Sequence, residues 1–315
     1  MPRKRRMCSC TGGTKVLLVG GNGFIGSNLR DEFGIRHIRF DTMDITDEDL
    51  TRSNVVMVEK LRGVTHVFLL ASMIGADLFN KTPIEPYYDN ITILYNCINA
   101  IQEASRKYGR KYHVVWYSSS EVFGSTREDD VILDNSGVKL NMNSPRTLYS
   151  IVKLTGELLL KKMFDDKQIS ALTILRLFNI SGKHQRRGVV YDMIDSAITS
   201  GRIQFSADTT RTITSVKSMI IQTFDAVFNN SSGVIERNIA DGENSVFMED
   251  LANVIREYLI SRNIAEKIDI VEIKPDEFLQ YRHTGEVMKG KVGGRSMNRI
   301  IKEVLGEVRC VRQQL

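Results

Sequence analysis

The chain has 315 residues, 42% of them hydrophobic and 26% charged, which is the composition of a globular protein with a sizeable buried core. Its net charge of +5 depends largely on one N-terminal basic cluster, made of Arg3, Lys4, Arg5 and Arg6. The rest of the chain shows neither a basic face nor a recognisable nucleic-acid-binding module, which argues against a nucleic-acid partner. We expect residues 1–14 to form a disordered basic arm.

The four cysteines are too few and too scattered for a disulfide framework. Cys8 and Cys10 have no companion His or Cys pair, so we expect no metal site. No uninterrupted apolar stretch reaches the roughly 18 residues of a membrane span, and residues 1–14 lack the apolar centre of a signal peptide. These observations predict a cytoplasmic protein without a membrane partner.

Short β-branched runs alternate with longer amphipathic stretches between residues 15 and 180. This alternation is typical of parallel strands joined by helices that cover both faces of one sheet. It predicts an α/β fold with a doubly wound parallel sheet of Rossmann type. The predicted strands are 16–19, 37–40, 66–70, 113–117 and 172–177, and the predicted helices are 24–33, 84–107 and 148–164.

A glycine-rich turn, Gly20-Gly-Asn-Gly-Phe-Ile-Gly26, joins the first predicted strand directly to the first predicted helix. Glycines here permit a tight turn and let the backbone approach a pyrophosphate, while the helix N-terminus offers free N–H groups and a positive dipole. The succession of strand, turn and helix predicts a dinucleotide-binding site. The residues expected to contact the cofactor are Gly20, Gly23, Phe24, Ile25 and Gly26.

Asp41 lies twenty residues beyond Gly21 and is predicted to follow the second strand. A carboxylate there accepts hydrogen bonds from the adenosine ribose and repels a 2′-phosphate, which favours NAD over NADP. Arg39 keeps NADP open, because an arginine in the pocket would pair with that phosphate. Asp44 and Ile45 are expected to line the adenine pocket, with an ordinary turn aspartate as the alternative for Asp44.

Tyr149 and Lys153 lie four residues apart in a predicted helix, which places them on one face. An ammonium beside a phenol stabilises the phenolate and lets tyrosine act as a base near neutral pH. The spacing becomes specific through residues 118–124, Ser-Ser-Ser-Glu-Val-Phe-Gly, which follow the fourth predicted strand. They therefore fall at the edge of the sheet where doubly wound folds bind ligands.

Together these motifs closely resemble the extended short-chain dehydrogenase/reductases, the NAD-dependent nucleotide-sugar epimerase and dehydratase family. The resemblance covers nearly the whole chain. Besides the motifs above, it includes residues 70–72, 90, 176–179, 182, 188–190, 211–216, 238–240 and 294–298.

The resemblance implies a role for each matching residue. Tyr149 would remove the proton from the sugar 4-hydroxyl while hydride passes from C4 to the nicotinamide. Lys153 would bind the nicotinamide ribose, and Ser119 would hydrogen-bond the 4-oxygen. The other implied cofactor contacts are Leu70, Ala71, Ser72 and Asn90, together with Tyr149 itself. The other implied contacts of a nucleotide-sugar substrate are Ser120, Asn179, Val189 and Arg211. Arg211 resembles an arginine that neutralises phosphate, and a surface strand cation is its alternative.

Glu121 bears on the fate of the sugar after the first oxidation. Family members share a 4-keto intermediate and then eliminate water, lose carbon dioxide or re-reduce the ketone to the 4-epimer. A glutamate here resembles the dehydratases and decarboxylases, where it handles the acidic C5 proton, so we prefer elimination over epimerisation. Ser120 departs from the aspartate of glucose-type dehydratases and matches the Ser-Glu pair of the mannose type. The alternative for Glu121 is a residue that only holds the loop.

Two other functions remain compatible with these motifs. One is a reductase or epimerase of a pre-formed 4-keto sugar, in which His184 resembles the catalytic acid. Because the companion cysteine of those enzymes is absent, we prefer an ordinary loop histidine. The other is a non-catalytic NAD(P)-binding sensor or scaffold, against which the intact Ser119, Tyr149 and Lys153 argue.

The chain is predicted to divide into an NAD-binding domain over residues 15–180, which carries the catalytic groups, and a mainly substrate-binding region over residues 181–315. The alternation loosens in the second region, which we expect to be smaller and mixed α/β. The substrate site would lie in the cleft between the two parts. By resemblance, the predicted helices 84–107 and 148–164 would pair with their copies in a homodimer.

Overall fold

The fold was obtained as a computed structural model. It describes residues 13–44, 50, 53–73, 82, 84–124, 132–140, 142, 147–206, 209–229, 232–273 and 294–313. Residues 1–12 of the predicted basic arm, with Cys8 and Cys10, and Ile45 of the predicted adenine pocket lie outside these residues. Within them, no helix is long and apolar enough to cross a membrane, and no group of three His, Cys, Asp or Glu side chains is placed to hold a metal ion.

Six parallel strands form the central sheet. In chain order the strands of the described residues are β1 (Lys15–Val19), β2 (Arg39–Met43), β3 (His66–Leu69), β4 (His113–Ser119), β5 (Ala171–Leu177), β6 (Ile180–Ser181), β7 (Arg202–Ser206), β8 (Thr210–Thr212), β9 (Thr214–Ser215), β10 (Gly233–Ile239), β11 (Ser245–Phe247) and β12 (Asp269–Ile273). The order in the central sheet is β10-β5-β4-β3-β1-β2. The predicted doubly wound α/β sheet is thus confirmed, and the chain reverses its direction of travel across the sheet between β1 and β3. Ligands bind beyond the carboxyl ends of the strands at such a point.

Helices cover both faces of this sheet. In chain order the α-helices that the structure describes are α1 (Phe24–Ile35), α2 (Val55–Lys60), α3 (Ile84–Tyr108), α4 (Thr147–Asp165), α5 (Val189–Ser200), α6 (Val216–Phe228), α7 (Met248–Ser261) and α8 (Gly294–Arg312). Side chains of β4 alternate between the two faces, as the pleat requires. Val114 and Trp116 pack in the core under α3 and α4, whereas Val115 and Tyr117 pack in the core under α1 and α6.

The second strand begins two residues later than predicted. Residues 36–38 are taken up by the turn that ends α1, in which the Ile38 amide bonds to the Phe33 carbonyl and His37 has a φ of 54°. A residue with positive φ cannot continue a strand. The prediction that Asp41 follows the strand is therefore wrong, because Asp41 lies within β2, opposite Leu17 of β1.

The chain returns to the central sheet late in the sequence. Helix α6 packs on the sheet, and β10 pairs with β5 in register from Gly233 to Ile239. The alternation of β-branched runs and amphipathic stretches lies between residues 15 and 180, so it does not predict β10. Helices α5, α7 and α8 instead surround a separate apolar core with β7, which includes Ile194, Ile255 and Ile301.

Candidate active site

The glycine turn closes tightly between β1 and α1. Gly20 has a φ of +95°, and a side chain there would collide with the backbone of Ala71. A Cβ on Gly26 would collide with the carbonyl oxygen of Gly20, so the first turn of α1 packs directly on the loop. Gly23 is the N-cap and supplies no side-chain cap. The N-terminus of α1 is therefore left to an anion such as a pyrophosphate.

Asp44 is bound to this turn. Its carboxylate accepts the Asn22 amide, with 3.0 Å to the nearer oxygen. Phe24 and Ile25 begin α1, and their half-buried side chains pack on the core beneath that helix. Asp44 thus stabilises the shape of the glycine turn, while its place in an adenine pocket stays a prediction.

Asp41 carries an ion pair that sequence reasoning missed. Its Oδ1 lies 3.2 Å from Nζ of Lys60, at the end of α2, and 2.8 Å from the Thr42 amide nitrogen. The Asp41 side chain is still 41% exposed, so it remains accessible to ribose hydroxyls. Arg39 lies exposed at the start of β2. Lys60 is distant in sequence and belongs to no motif, so only the fold brings it to Asp41.

Asn90 holds the loop that follows β3. Its Oδ1 accepts the Ser72 hydroxyl at 3.0 Å and the Met73 amide at 2.7 Å, and its Nδ2 donates to the Met73 carbonyl at 2.9 Å. The amides of Leu70 and Ala71 bond to the last carbonyl of β1. Asn90 is only 3% exposed, so it fixes the backbone of this loop beside the glycine turn.

A small cavity lies next to the same loop, between the sheet, α3 and α4. Its lining includes Ala71, Ser72, Asn90, Trp116 and Cys97. Three of these residues, Ala71, Ser72 and Asn90, are also predicted cofactor contacts. Burial raises the pKa of the Cys97 thiol to about 12, so this cysteine is an inert part of the wall.

Ser119 and Glu121 are connected by the short 3-10 helix Ser120–Phe123, which follows β4. The Ser119 hydroxyl oxygen accepts the Glu121 amide at 3.2 Å, which caps that helix. The Glu121 carbonyl accepts the hydroxyl of Ser150 on α4 at 2.9 Å. Glu121 is 7% exposed. These bonds fasten the serine-rich strand end to the first turns of α4.

Tyr149 and Lys153 lie on one side of α4, as their spacing predicts. Nζ of Lys153 is 5.5 Å from the centroid of the Tyr149 ring and donates to the Tyr117 carbonyl at 2.9 Å. Lys153 is 3% exposed, and burial lowers its pKa to about 7. Tyr149 is half-buried. The Lys153 side chain can therefore hold or release a proton near neutral pH, beside the Tyr149 ring.

The predicted substrate contacts come from separate elements. Ser120, 5% exposed, begins the 3-10 helix, and Asn179 follows β5 with a φ of 25°. Val189 begins α5, and Arg211 lies half-buried in β8, opposite Val246 of β11. Ser120 and Asn179 thus follow neighbouring strands at one edge of the sheet, while Val189 and Arg211 come from the later part of the chain. Their shared contact with a substrate stays a prediction.

The loop before α5 is bonded to helix α1, which follows the glycine turn. Asn28, 4% exposed, donates to the Phe24 carbonyl at 2.9 Å and to the Lys183 carbonyl at 2.7 Å. Asp31 accepts bonds from Nζ of Lys183 at 2.7 Å and from Nε2 of His184 at 3.0 Å, and these bonds lower the pKa of its carboxyl. His184 is therefore held by Asp31, as an ordinary loop histidine would be.

A buried ion-pair network underlies the serine-rich strand end. Glu157 of α4 accepts the Ser118 hydroxyl at 2.6 Å, and Arg176 of β5 binds both its oxygens, at 2.6 and 3.0 Å. Arg176 also bonds Glu236 of β10 at 2.6 Å, and Glu236 pairs with Lys161 at 2.7 Å. Sequence reasoning missed Glu157, although its position four residues after Lys153 on the same helix was an available signal.

Comparison with known proteins places the chain in a family. A family model described as the NAD dependent epimerase/dehydratase family matches residues 16–208. Among solved structures, the UDP-glucose 4-epimerase of Thermus thermophilus, in complex with NAD, is similar over 94% of this chain and 99% of its own, with 18% identity and a TM-score of 0.75.

Two further structures are similar over most of their length. The UDP-N-acetylglucosamine 4-epimerase of Methanobrevibacter ruminantium matches over 93% of this chain and 99% of its own, with 20% identity and a TM-score of 0.73. TunA, an NAD-dependent NDP-hexosamine 5,6-dehydratase involved in tunicamycin biosynthesis, matches over 94% and 98%, with 18% identity and a TM-score of 0.70.

The site fits the cofactor that the family name specifies. The glycine turn leaves no room for side chains where α1 meets it, the N-terminus of α1 has no side-chain cap, and the Asp41 carboxylate is accessible beside β1. Because the family model spans the glycine turn, Ser119, Tyr149 and Lys153, this chain belongs to the NAD-dependent epimerase/dehydratase family and takes NAD as its cofactor.

Proposed function

We propose that this protein oxidises the C4 hydroxyl of a nucleotide-diphosphate sugar to a ketone and then eliminates water across C5 and C6. The observation that carries the proposal is the buried Glu121, whose backbone is bonded both to Ser119 and, through Ser150, to the helix of Tyr149. The similar structures are named as enzymes of UDP- and NDP-sugars, which supports a nucleotide-diphosphate sugar as the substrate. We assign substrate binding mainly to residues 181–315.

The first half of the proposed reaction uses Tyr149, Lys153 and Ser119. The Tyr149 phenolate takes the proton from O4 while the hydrogen at C4 leaves as hydride, and the C4–O4 bond becomes a carbonyl. The Lys153 ammonium stabilises the phenolate, and the Ser119 hydroxyl donates to O4. NAD, when bound, supplies the hydride acceptor and later returns the hydride.

The second half uses Glu121. The C4 ketone acidifies the hydrogen at C5, so the Glu121 carboxylate can take that proton. The C6–O bond breaks as the C5–C6 double bond forms, and the departing hydroxide leaves as water with a proton equivalent to the one that Tyr149 removed from O4. Return of the hydride to C6, and of the proton held by Glu121 to C5, would give a 4-keto-6-deoxy sugar.

A 4-epimerase is the second candidate. In that reaction the hydride returns to the opposite face of C4, and Glu121 only holds the loop. Two of the structures that share this fold are named 4-epimerases, which supports epimerisation as the alternative. Incubation with UDP-, GDP-, CDP- and dTDP-sugars, followed by mass spectrometry, separates the two. A product lighter by one water supports elimination, and an isomer of unchanged mass supports epimerisation.

The Glu121→Gln variant tests the proposed role of that carboxylate. We expect it to oxidise C4 at nearly the wild-type rate but to eliminate water about 10²-fold or more slowly, because an amide cannot take the C5 proton. Reduction of the bound cofactor, followed by absorbance, measures the first step, and product mass measures the second. Glu257→Gln provides the matched control, since it makes the same change at an exposed carboxylate of α7 that belongs to none of the predicted site residues. Equal elimination by Glu121→Gln and wild type would contradict the proposal.

We also propose that the protein is a homodimer that pairs through α3 and α4. Large apolar side chains on these helices are exposed, with Tyr88 at 68%, Tyr95 at 62% and Leu158 at 58%. Sedimentation should give twice the mass of the chain. Tyr95→Glu is expected to shift the protein towards monomer, because a charge would be buried in the interface. Ile221→Glu, at a 54% exposed position on α6, is the control. A monomeric wild type would rule out the dimer.

A further inference from the structure

Trp116, the single tryptophan of the chain, lies against Lys153. It sits on the face of β4 that α3 and α4 cover, is 3% exposed, and lines the cavity beside Ala71 and Asn90. Its indole N–H donates to the Lys153 carbonyl at 3.1 Å. The centre of its ring lies 4.8 Å from Nζ of Lys153. Trp116 therefore contacts both the backbone and the charged end of one lysine.

Gly156 makes this double contact possible. A Cβ at that position would collide with the indole ring, so α4 lies directly on Trp116 at the turn that carries Lys153. Glycine inside a helix is unfavourable relative to alanine. The close approach of the helix to the indole is thus a specific feature of this site.

The Lys153 ammonium is buried, and its described neighbours are uncharged. Among the residues that the structure describes, no carboxylate lies within ion-pair distance of it. Its neighbours are the Tyr117 carbonyl and the rings of Trp116 and Tyr149. A desolvated ammonium is costly unless such groups compensate it, and a cation–π contact is strongest where water is excluded.

The ionisable groups on the elements around Lys153 do not replace this contact. Glu157, on the same helix, is turned to Arg176. Glu121, on the 3-10 helix, is not within ion-pair distance, and the Tyr117 hydroxyl of β4 is bonded to Thr223 on the other face. On α3, the Cys97 thiol is neutral, since its pKa is raised to about 12 by burial.

We propose that Trp116 is a positioning residue for the base: its π face keeps the ammonium of Lys153 charged, and its N–H fixes the helical turn that carries this lysine. A charged Lys153 in turn stabilises the Tyr149 phenolate. The role of the phenolate rests on the proposed function, whereas the effect of Trp116 on Lys153 does not.

The emission of Trp116 tests the proposal without substrate. In the full-length wild type, we expect one transition in emission wavelength between about pH 5.5 and about pH 9.5, as the nearby lysine loses its charge. The transition should vanish in Lys153→Met and persist in Lys267→Met, which alters a lysine with an 84% exposed side chain. A Lys153→Met variant that keeps the transition, or one whose emission at about pH 5.5 equals that of the wild type, overturns the proposal, because either result means that the indole does not sense a charge on Lys153.

Variants at Trp116 supply the second test, read from the pH profile of sugar oxidation. Trp116→Leu removes the π face, so Lys153 should lose its proton at lower pH and the alkaline limb should move down by about one pH unit. Trp116→Phe keeps a ring and should shift the limb by less than half as much. An unchanged limb in a folded Trp116→Leu variant, or equal shifts in both variants, contradicts the proposal.

Thermal unfolding of both variants shows whether they fold. If Trp116→Leu does not fold, Trp116→Phe and the wild-type emission decide the matter. A protein that oxidises no nucleotide sugar but shows the lysine-dependent transition would refute the proposed function and leave the role of Trp116 standing.

Discussion

Replacing Tyr149 by phenylalanine is expected to lower the rate of sugar oxidation by about 10²–10⁴-fold, because the ring remains but the group that removes the O4 proton is lost. The Lys153 ammonium would keep its contacts with Trp116 and the Tyr117 carbonyl. NAD binding should therefore change little. Reduction of bound cofactor after mixing with substrate measures the rate, and calorimetry measures cofactor affinity.

Tyr258→Phe is the matched control for this experiment, since Tyr258 lies on α7 in the later part of the chain. It should oxidise the sugar at the wild-type rate. A Tyr149→Phe variant with wild-type turnover would remove the tyrosine from the mechanism. If the Tyr149→Phe variant loses turnover but keeps its biological function, that result would favour a sensor or scaffold.

Replacing Arg176 by methionine is expected to cost about 3–5 kcal/mol of the free energy of unfolding. The substitution leaves the Glu157 carboxylate, whose side chain is 1% exposed, as an uncompensated buried charge. It also removes the bond to Glu236. Urea denaturation followed by circular dichroism measures the loss.

A neighbouring arginine provides the control. Arg237 pairs with Asp134 at 2.9 Å, but its side chain is 55% exposed, so Arg237→Met should cost only about 0–1 kcal/mol. The double variant Arg176→Met/Glu157→Leu should regain part of the loss, because no buried carboxylate is then left without a partner. If Arg176→Met and Arg237→Met lowered the free energy of unfolding equally, burial would not determine how much these ion pairs stabilise the protein.

Local patterns predicted the parts of the site that are contiguous in sequence. The turn from Gly20 to Gly26 and the pairing of Tyr149 with Lys153 depend on short spacings, and the structure reproduces both. The error at β2 arose where a turn overrides strand propensity: residues 37–40 look β-branched and aromatic, but His37 adopts a left-handed conformation that ends α1. Hydrophobic pattern does not encode such a helix end.

Contacts between distant segments were beyond prediction. Strand β10 has a mostly half-exposed pattern at the edge of the sheet, so its sequence lacks the apolar run of a central strand. The Asp41–Lys60 pair and the Glu157–Arg176 pair join elements whose relative positions follow only from the packed sheet.

The glycine turn, the Tyr149/Lys153 pair and the family of the protein were determined by sequence alone, because each depends on residues a few positions apart and on the strand or helix that carries them. The tertiary structure decided the surroundings that set the charge of Lys153. Packing of α4 on β4 brings Trp116 to the Lys153 ammonium and buries both. The charge of a lysine depends on its surroundings in space, and no spacing along the chain specifies that environment.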